Sequence, residues 1–479
     1  MRAVLERCDA AREQMTPDAV HDLRVALRRC LAIAESFREI DSDSAWPDLR
    51  REARRLFKAL GGLRDSQVIA ELAKNVAPPG DGPRRALLEQ LDGRRAEDEE
   101  RVRAALAKFS RKKWKAWARQ LPARAARLPL DGPASQYLAL ERWNEAYALH
   151  RKAVRIGSRV SFHRLRIGIK RFRYTLENLL PGLHEKWGPD LKALQDELGE
   201  AHDLDVLWRT LLGIAEFRPA AVRAAWKGRI DAMRAELFRG YRAKMAGKRS
   251  PWLVWRKSLP RSAGLDAASL AWLESWVSFL TPDLAHAKHV AELALEFYDQ
   301  LAAASLAGTN ENGSARRILH AAALAHDVGR SRGAKSHHKI SYRMIAGLRP
   351  LAGWTAEEMR LAALVARYHR RALPQPKHAA FARLSANRQQ KTLLLAGILR
   401  LANALDRRHD RSVSGLAVEV APGVITVRAR GYTAEEPAAS EIAGAKHLVE
   451  IACKRPVTVV PSPTSPFRLP KPEAASHAA

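Results

Sequence analysis

The feature that most constrains the fold is a helical segment that occurs twice. The segment "HDLRVALRR" begins at His21, and "HRLRIGIKR" begins at His163, 142 positions later. Each copy is followed by a second matching segment. In this segment a basic residue comes first, followed in order by Leu-Gly, Asp and Val. The Leu-Gly pairs end at Gly61 and Gly199, 138 positions apart. Because order and spacing nearly repeat, the sequence predicts two similar helical units related by a pseudo-twofold axis.

The pattern of apolar residues predicts a mainly α protein. Apolar residues recur at three- and four-residue spacing through most of the first 412 residues, among many Ala, Leu, Arg and Glu. After Ser412 the pattern alternates around a Pro-Gly pair, which predicts a β-hairpin, followed by a helix and a last strand. We therefore predict a helical domain at 1–250 with half-repeats at 1–125 and 136–245, an all-α domain at 265–412, a small α/β appendage at 413–461 and a disordered tail at 462–479.

The positive charge of the chain is concentrated in one region. The formal net charge is +30, and residues 101–175 contain 20 Lys and Arg against 3 acidic residues. Residues 1–100 contain 18 basic and 20 acidic residues. A local excess favours a polyanionic partner such as nucleic acid, polyphosphate or an anionic membrane surface. A nucleic-acid binder that responds to charge alone stays open at this point.

The cysteines and the N-terminal residues predict the compartment. Cys8, Cys30 and Cys453 are far apart and outside metal-ligand spacing, which fits a reducing compartment. The chain is charged from residue 2, without an apolar signal region, and no apolar run approaches transmembrane length. We therefore expect a cytoplasmic protein with no membrane partner.

Each copy of the repeated helix carries a basic face. Positions on a helix advance about 100° per residue, so His21, Arg24 and Arg28 lie within a narrow arc, with Arg29 at its edge. The equivalent positions of the second copy are His163, Arg166, Lys170 and Arg171, with Arg173 on a neighbouring face. Like charges this close repel each other, and a polyanion between them would remove the repulsion. A solvated basic face with a capping or core histidine is the alternative for a single copy, and two matching copies favour binding.

These paired segments resemble the two halves of a CHAD domain, the conserved histidine α-helical domain, over about residues 1–245. The resemblance implies two four-helix bundles that face each other across a basic groove or pore, which binds inorganic polyphosphate. Because the first half has Leu31 where the second has Arg173, we expect the second half to bind more tightly. The binding residues carried over by motif are His21, Arg24, Arg28, Arg29, Arg54, His163, Arg166, Lys170, Arg171, Arg173 and Lys192.

A second set of motifs places histidine and aspartate in the order of a metal site. His286 precedes the pair His326-Asp327, which stands before a turn glycine, and "SHHKISY" and a helix ending in "LDRRHD" follow. Neutral His nitrogen and Asp oxygen atoms suit an octahedral divalent metal such as Mn, Mg or Fe. Such a metal can activate water against a phosphoester.

These motifs resemble an HD domain, and more closely the HD-type C-terminal region of the exopolyphosphatase/guanosine pentaphosphatase family, over about residues 265–460. The actin-like module of that family, with its glycine-rich phosphate loops, has no counterpart in the sequence. The late "AD" pair of the motif is Ala402-Asn403 here, and an amide brings no negative charge, so Asp406 one turn later is an alternative ligand. The implied metal ligands are thus His286, His326, Asp327 and Asn403 or Asp406. We expect His337, His338 and His369 to line the pocket and meet phosphate.

The sequence therefore favours an inorganic polyphosphate-binding protein whose second domain holds metal or phosphate. The alternative is a metal-dependent phosphohydrolase acting on polyphosphate or phosphorylated nucleotides, against which Asn403 argues. An HD-type scaffold that binds an anion or a partner without catalysis also stays open. We expect nucleic acid to bind only non-specifically. A homo-oligomer and an association with polyphosphate granules are left open.

Overall fold

The computed structural model describes residues 1–306, 313–435 and 438–462. It divides into two compact units, Met1–Phe279 and Leu280–Ala479. Both units are mainly helical, and one small sheet lies near the C-terminus. The predicted fold class is thereby confirmed, whereas the predicted tail from 462 onward lies, apart from its first residue, outside the described residues.

The first unit is built from helices alone. Their bounds are α1 (Arg2–Glu13), α2 (Pro17–Phe37), α3 (Ala45–Ala59), α4 (Gly61–Val76), α5 (Gly82–Gly93), α6 (Arg95–Ala107), α7 (Arg111–Ala125), α8 (Pro133–Ile156), α9 (Arg159–Leu179), α10 (Pro181–Leu211), α11 (Ala220–Met245), α12 (Pro251–Lys257) and α13 (Ala263–Ser278), with a 3-10 turn at Ala215–Phe217.

The helices of the two halves follow the same order. Helices α1 and α2 correspond to α8 and α9, the pair α3–α4 corresponds to the long α10, and α5–α6 corresponds to α11. The first half is interrupted at Leu60, where α3 gives way to α4, whereas α10 continues through the equivalent Leu198. Helix α2 packs on α9, and α4 packs on α10. The two halves thus meet along the helices that carry the repeated motifs.

The two repeated helices share a start signal and an amphipathic pattern. Thr16 accepts a hydrogen bond from the N–H of Ala19, and Ser158 accepts one from the N–H of Ser161, both at 3.2 Å. These caps satisfy backbone donors that an α-helix leaves free at its N-terminus. Each helix buries an apolar stripe, which includes Leu23 in α2. The basic positions lie off this stripe.

Helix α13 lies in the first unit, where it packs against α8. The predicted start of the second domain, residue 265, falls within this helix. The rings of Tyr137 and Trp272 lie 5.5 Å apart in this contact. Burial of an apolar helix face therefore places the boundary after Phe279.

The second unit is a helical body with a three-stranded sheet. Its bounds are α14 (Leu284–Ala303), α15 (Ser314–Ala325), a 3-10 turn (Val328–Arg332), α16 (His337–Ala346), α17 (Ala356–Arg367), α18 (Ala379–Ala382), α19 (Ala386–Leu405), β1 (Gly415–Ala421), β2 (Val424–Arg430), α20 (Ala438–Cys453) and β3 (Val457–Pro461).

The sheet has the order β1-β2-β3 and matches the predicted appendage. Strands β1 and β2 are antiparallel, with Gly415 opposite Arg430, and the turn between them places Gly423 at a φ of +98°. Strand β3 pairs with β2 in parallel after the α20 crossover. Side chains of α14 satisfy the free edge of β1, because Glu296 and Gln300 accept hydrogen bonds from its backbone N–H groups at 2.9 and 2.8 Å.

Candidate functional site

Basic side chains from both halves of the first unit come together around Lys170. Its ammonium group is within electrostatic range of Arg166 and Arg173 on α9, and of Arg24 and Arg28 on α2. Burial, and then these four guanidinium groups, lower the pKa of Lys170 from 10.5 to about 8. We call these five residues the cation cluster.

The members of the cation cluster differ in whether an acid neutralises them. Arg24 Nη2 lies 3.7 Å from Asp65 Oδ1, and Arg173 Nη2 lies 3.9 Å from Glu177 Oε2. Within the described residues, the other three pair with no carboxylate: Arg28, Arg166 and Lys170. The Nε atom of Arg166 is also buried without a hydrogen-bond partner in the described structure. Charge of one sign that is partly removed from water is costly unless something pairs with it, so this half-buried cluster favours a bound anion.

The Leu-Gly pair of each repeat lies beside the cation cluster. A Cβ atom at Gly61 would lie 3.6 Å from Arg24 Nη1, and one at Gly199 would lie 3.8 Å from Arg166 Nε. An alanine would fit at these distances, whereas a longer side chain would compete with the guanidinium group for the same space. The repeated glycine therefore keeps an arginine close against the neighbouring helix in each half.

The repeated aspartates also lie close to each other. Burial raises the pKa of Asp203, the charge of Arg166 opposes this rise, and the charge of Asp65 adds to it. Asp65 is exposed and lies 3.7 Å from Arg24. Each half therefore supplies one arginine of the cation cluster and one aspartate that partly offsets it.

A histidine pair lies next to Arg166. The rings of His163 and His202 have centroids 4.6 Å apart, and the Nδ1 atom of His163 is buried without a hydrogen-bond partner in the described structure. Burial, and then the charge of Arg166, lower the pKa values of both rings, that of His202 to about 4. Both rings are therefore mostly neutral at pH 7, and they add hydrogen-bonding groups rather than charge.

The structure separates the predicted binding residues into two sets. The five members of the cation cluster and His163 lie together, whereas the other five predicted residues are exposed. Three of these have acidic partners at 3.2, 2.7 and 2.8 Å: Arg29 with Glu177, Arg171 with Glu145, and Lys192 with Asp196. The remaining two exposed residues are His21 and Arg54.

In the second unit, histidine and aspartate side chains converge from several helices. Two groups of candidate metal-ligating atoms, each within 4.8 Å of one another, share Asp327. One group adds His286 and His326, and the other adds His337 and His369. All five residues are buried, and we call them the histidine–aspartate centre. Such buried groups could hold a divalent metal ion.

Backbone contacts set the orientation of three of these rings. The Nδ1 atoms of His326, His337 and His369 each contact the carbonyl oxygen three residues earlier, at 2.6, 3.0 and 2.7 Å. A neutral ring that donates from Nδ1 has a lone pair at Nε2. The Nε2 atoms of His337 and His369 lie 3.3 Å apart, and that of His326 has no hydrogen-bond partner in the described structure. Lone pairs that face each other in this way suit a bound cation.

Asp327 supplies negative charge to the centre. Burial alone would raise the pKa of its carboxyl group, but the neighbouring histidine rings and the guanidinium group of Arg330 hold it well below its usual range. Arg330 adds a contact of 2.9 Å to Oδ2. Asp327 is therefore ionised at neutral pH and can serve as a metal ligand.

Asp406 and Asn403 contact opposite nitrogen atoms of His286. The Oδ2 atom of Asp406 lies 2.7 Å from Nδ1, and the Oδ1 atom of Asn403 lies 3.2 Å from Nε2. A carboxylate that accepts from one ring nitrogen fixes the tautomer and directs the other nitrogen towards a metal. Of the two alternatives predicted for the last ligand position, Asn403 lies beside Nε2 of His286, and Asp406 lies beside Nδ1, on the opposite side of the ring.

Two further residues build this centre. A Cβ atom at Gly329 would lie 2.3 Å from the carbonyl oxygen of His337, so only glycine allows this approach of α16. His409 was not predicted from the sequence. Its ring stacks on that of His286 with centroids 3.7 Å apart, and its Nδ1 lies 2.8 Å from Asp283 Oδ2. The only signal in the sequence was its place in "LDRRHD".

Comparison with known protein families identifies two regions. Residues 1–212 match the CHAD domain, and residues 274–422 match domain III of the Ppx/GppA phosphatases. The chain thus contains a region that matches the CHAD domain, followed by a region that matches Ppx/GppA domain III. This fusion confirms both resemblances seen in the sequence, although the CHAD match ends before α11. No curated protein matches the chain.

The two domains together indicate a function related to polyphosphate. The cation cluster lies in the CHAD domain, and the histidine–aspartate centre lies in the Ppx/GppA domain III. In the described part of the chain, no helix is both long and apolar enough to cross a membrane.

Proposed function

We propose that the protein binds inorganic polyphosphate at the cation cluster of its CHAD domain. The observation that carries the proposal is a set of three cations, from both halves, that form no salt bridge within the described residues: Arg28, Arg166 and Lys170. Guanidinium groups form paired hydrogen bonds with phosphate oxygens, and an ammonium group acts as a compact point charge. An unbranched chain of identical phosphates can contact the same kinds of basic side chain on both repeated helices, α2 and α9. We place this binding in the cytoplasm, in keeping with the free cysteines.

The aromatic residues favour polyphosphate over a single-stranded nucleic acid. Proteins that bind single strands stack bases on exposed aromatic rings. Tyr174, the ring beside the cation cluster, is buried, with Lys170 5.9 Å and Arg173 5.4 Å from its centroid. Trp114 and Trp117, which lie in the basic segment of α7, are also buried. The cation cluster therefore offers positive charge to an anion. These three buried rings offer no exposed face on which a base could stack.

Fluorescence anisotropy with labelled long-chain polyphosphate tests this proposal. Each neutralised phosphate releases counterions, so affinity should fall steeply with salt, with a log–log slope of roughly −3 to −4 for five contacts. Single-stranded DNA of equal total charge should compete at least about tenfold less effectively, because its bases lack stacking partners. The proposal fails if polyphosphate does not bind at about 0.1 M salt. Equal competition by DNA would show that charge alone decides.

A second candidate function is metal-dependent phosphohydrolysis at the histidine–aspartate centre. It is favoured by the Nε2 atoms of His326, His337 and His369, which face Asp327 or one another. A bound divalent metal would polarise a phosphoryl oxygen and lower the pKa of a bound water molecule. Among the protein's own residues, Asp327 provides the negative charge for the metal, and Asp406 orients the ring of His286.

Elemental analysis followed by a phosphate-release assay tests this second function. We expect the purified protein to take up Mn, Mg or Fe, and to release phosphate from polyphosphate or a phosphorylated nucleotide. The variant Asp327→Asn should lose both properties, whereas the exposed control Arg349→Gln should keep them. Metal uptake without turnover would instead support a centre that binds a metal without catalysing hydrolysis.

A further inference from the structure

A cleft of about 700 Å³ lies between the end of helix α8 and the turn that joins α11 to α12. One wall carries three cations of α8: Arg151, Lys152 and Arg155. The other wall is uncharged at the residues that line the cleft: Met245, Ala246, Gly247, Ser250 and Leu253. A cleft of this volume can hold a small ligand or the headgroup of a larger one. It therefore offers positive charge on one side and an uncharged contact on the other.

The three cations of this cleft are exposed and have no acidic partner. Within the described residues, Arg151, Lys152 and Arg155 form no salt bridge. Glu145, the acidic residue that precedes them in α8, instead pairs at 2.7 Å with Arg171. A helix C-terminus attracts basic side chains within its last turn, which among these three contains only Arg155. The helix dipole therefore does not account for Arg151 and Lys152.

Aliphatic side chains at the edge of the cleft are left exposed by the packing of α12. Trp252 and Trp255 are buried, and because they are three residues apart, the two residues between them face solvent. These are Leu253 and Val254, which are 40% and 54% exposed. Ile156, the last residue of α8, is 50% exposed. Leu253 lines the cleft, and Val254 and Ile156 each directly follow a lining residue in the chain.

The segments around the cleft carry charge of one sign. Residues 146–160 contain 4 Lys and Arg and no acidic residue, and residues 237–261 contain 8 and none. A nucleic acid would pair with these cations but would bring phosphates against the aliphatic side chains. An anionic lipid surface suits both, because its headgroups pair with cations and its acyl chains cover aliphatic groups. Six residues form what we call the basic–aliphatic surface: Arg151, Lys152, Arg155, Ile156, Leu253 and Val254.

We propose that the basic–aliphatic surface docks the protein on an anionic phospholipid bilayer, with one lipid headgroup in the cleft. Ile156, Leu253 and Val254 then enter the boundary between headgroups and acyl chains. A small anion from solution would fill the cleft but leave Ile156 and Val254 exposed, so a bilayer accounts for more of this surface. The sequence predicted no membrane partner because no apolar run spans a bilayer, but docking at the bilayer surface needs no such run.

Flotation of the full chain with unilamellar vesicles tests this inference. One probe is a vesicle of phosphatidylglycerol and phosphatidylcholine at about 3:7, and the other is a vesicle of phosphatidylcholine alone, both in about 0.15 M salt. We expect the protein to bind the anionic vesicles at least about tenfold more tightly than the neutral ones. Failure to bind the anionic vesicles would overturn the inference.

Matched variants test the basic wall of the cleft. Replacing all three of its cations by Gln should weaken binding to anionic vesicles at least about tenfold, because each Lys or Arg near such a surface contributes a factor of about five. The control replaces three exposed basic residues of the second unit by Gln: Arg349, Lys377 and Arg383. It removes the same charge and should change the affinity by less than about threefold, because charges far from the bilayer are screened. Equal losses in both variants would show that net charge alone binds the vesicles, and would overturn the inference.

A second pair of variants tests the aliphatic part of the surface. Replacing Leu253 and Val254 by Gln should weaken binding to anionic vesicles at least about fivefold, because less apolar area then enters the bilayer. Replacing Leu130 and Leu212, which are 60% and 55% exposed, by Gln should change the affinity by less than about twofold. Undiminished binding after the change at Leu253 and Val254 would contradict docking on a bilayer. Circular dichroism confirms that each variant is folded.

The outcomes separate this inference from the polyphosphate proposal, because the basic–aliphatic surface shares no residue with the cation cluster. The variant in which Arg28, Arg166 and Lys170 are replaced by Gln should lose polyphosphate binding and keep vesicle binding. The variant of the basic wall should show the reverse. Vesicle binding by a protein that does not bind polyphosphate would support this inference and refute the proposed function. Loss of vesicle binding in the cation-cluster variant alone would place the lipid at that cluster and overturn this inference.

Discussion

Raising the pH from 7 to 10 should weaken polyphosphate binding, because Lys170 loses its proton in the free protein. Burial and the four arginines of the cation cluster lower the pKa of this ammonium group to about 8. A bound polyanion cancels the repulsion and returns the pKa towards the ordinary 10.5. Above pH 8, the complex therefore holds a proton that the free protein has lost.

The sign and size of the effect follow from proton linkage. Where the complex binds more protons than the free protein, affinity falls as the pH rises, by at most tenfold per pH unit. If binding restores the pKa fully to 10.5, the total loss between pH 8 and 10.5 is roughly 300-fold, about 3.4 kcal/mol. Below pH 8, Lys170 is protonated in both the free protein and the complex, so it adds no pH dependence to the affinity.

Calorimetry in two buffers with different ionisation enthalpies measures the proton directly. At pH 8.5 a group with a pKa of about 8 is roughly three-quarters deprotonated, so binding that restores the ordinary pKa should take up about 0.75 proton. The surrounding guanidinium groups stay protonated, and the raised pKa of Tyr174 keeps it neutral. The variant Lys170→Arg should bind with almost no proton uptake. Equal uptake in both proteins, or unchanged affinity of the native protein from pH 7 to 10, would refute the reasoning.

Substitutions at four further positions have defined outcomes. Gly199→Leu should weaken polyphosphate binding at least about tenfold in the anisotropy assay, while Gly199→Ala changes it little, because a Cβ 3.8 Å from Arg166 makes an ordinary contact. Gly329→Ala should destabilise the second unit by about 1–3 kcal/mol in calorimetric unfolding, because its Cβ would meet a backbone oxygen at 2.3 Å. Asp406→Asn should lower metal affinity about 10- to 100-fold in a metal titration, because His286 loses the partner that orients it, and Asn403→Asp should raise it by adding a charged ligand.

Each of these outcomes can also contradict the structural account. Equal weakening by Leu and Ala at position 199 would show that helix packing, not the space for Arg166, explains the glycine. An unchanged unfolding temperature in Gly329→Ala would mean that α16 is not held as closely as described. Unchanged metal affinity in Asp406→Asn would remove this residue from the centre.

The repeat predicted most of the first unit because it constrains helices locally. Periodicity identifies α2 and α9, and their duplication predicts that equivalent faces meet. The sequence could not separate Arg28 from Arg29, since both are basic and adjacent. Arg29 has a partner, Glu177, that lies on the other repeated helix. Such cross-helix pairs depend on the packing angle, which periodicity does not determine.

The histidine–aspartate centre was predictable in composition but not in geometry. Motif order identified His286, His326 and Asp327, whereas the role of Asp406 depends on which ring nitrogen it contacts. The stacking of His409 on His286 depends on a left-handed turn at a non-glycine residue, which no local propensity predicts.

The most direct test of the central claim compares two triple variants that remove the same charge. Each variant replaces three basic residues by Gln. The two variants differ only in whether those residues belong to the cation cluster. The first set is Arg28, Arg166 and Lys170, and the second is Arg29, Arg171 and Lys192. Because charge-assisted hydrogen bonds contribute about 1.5–3 kcal/mol each, the first variant should lose at least about 100-fold in affinity for long-chain polyphosphate, and the second less than about fivefold. Equal losses in both variants would show that net charge, and not the cation cluster, binds the chain.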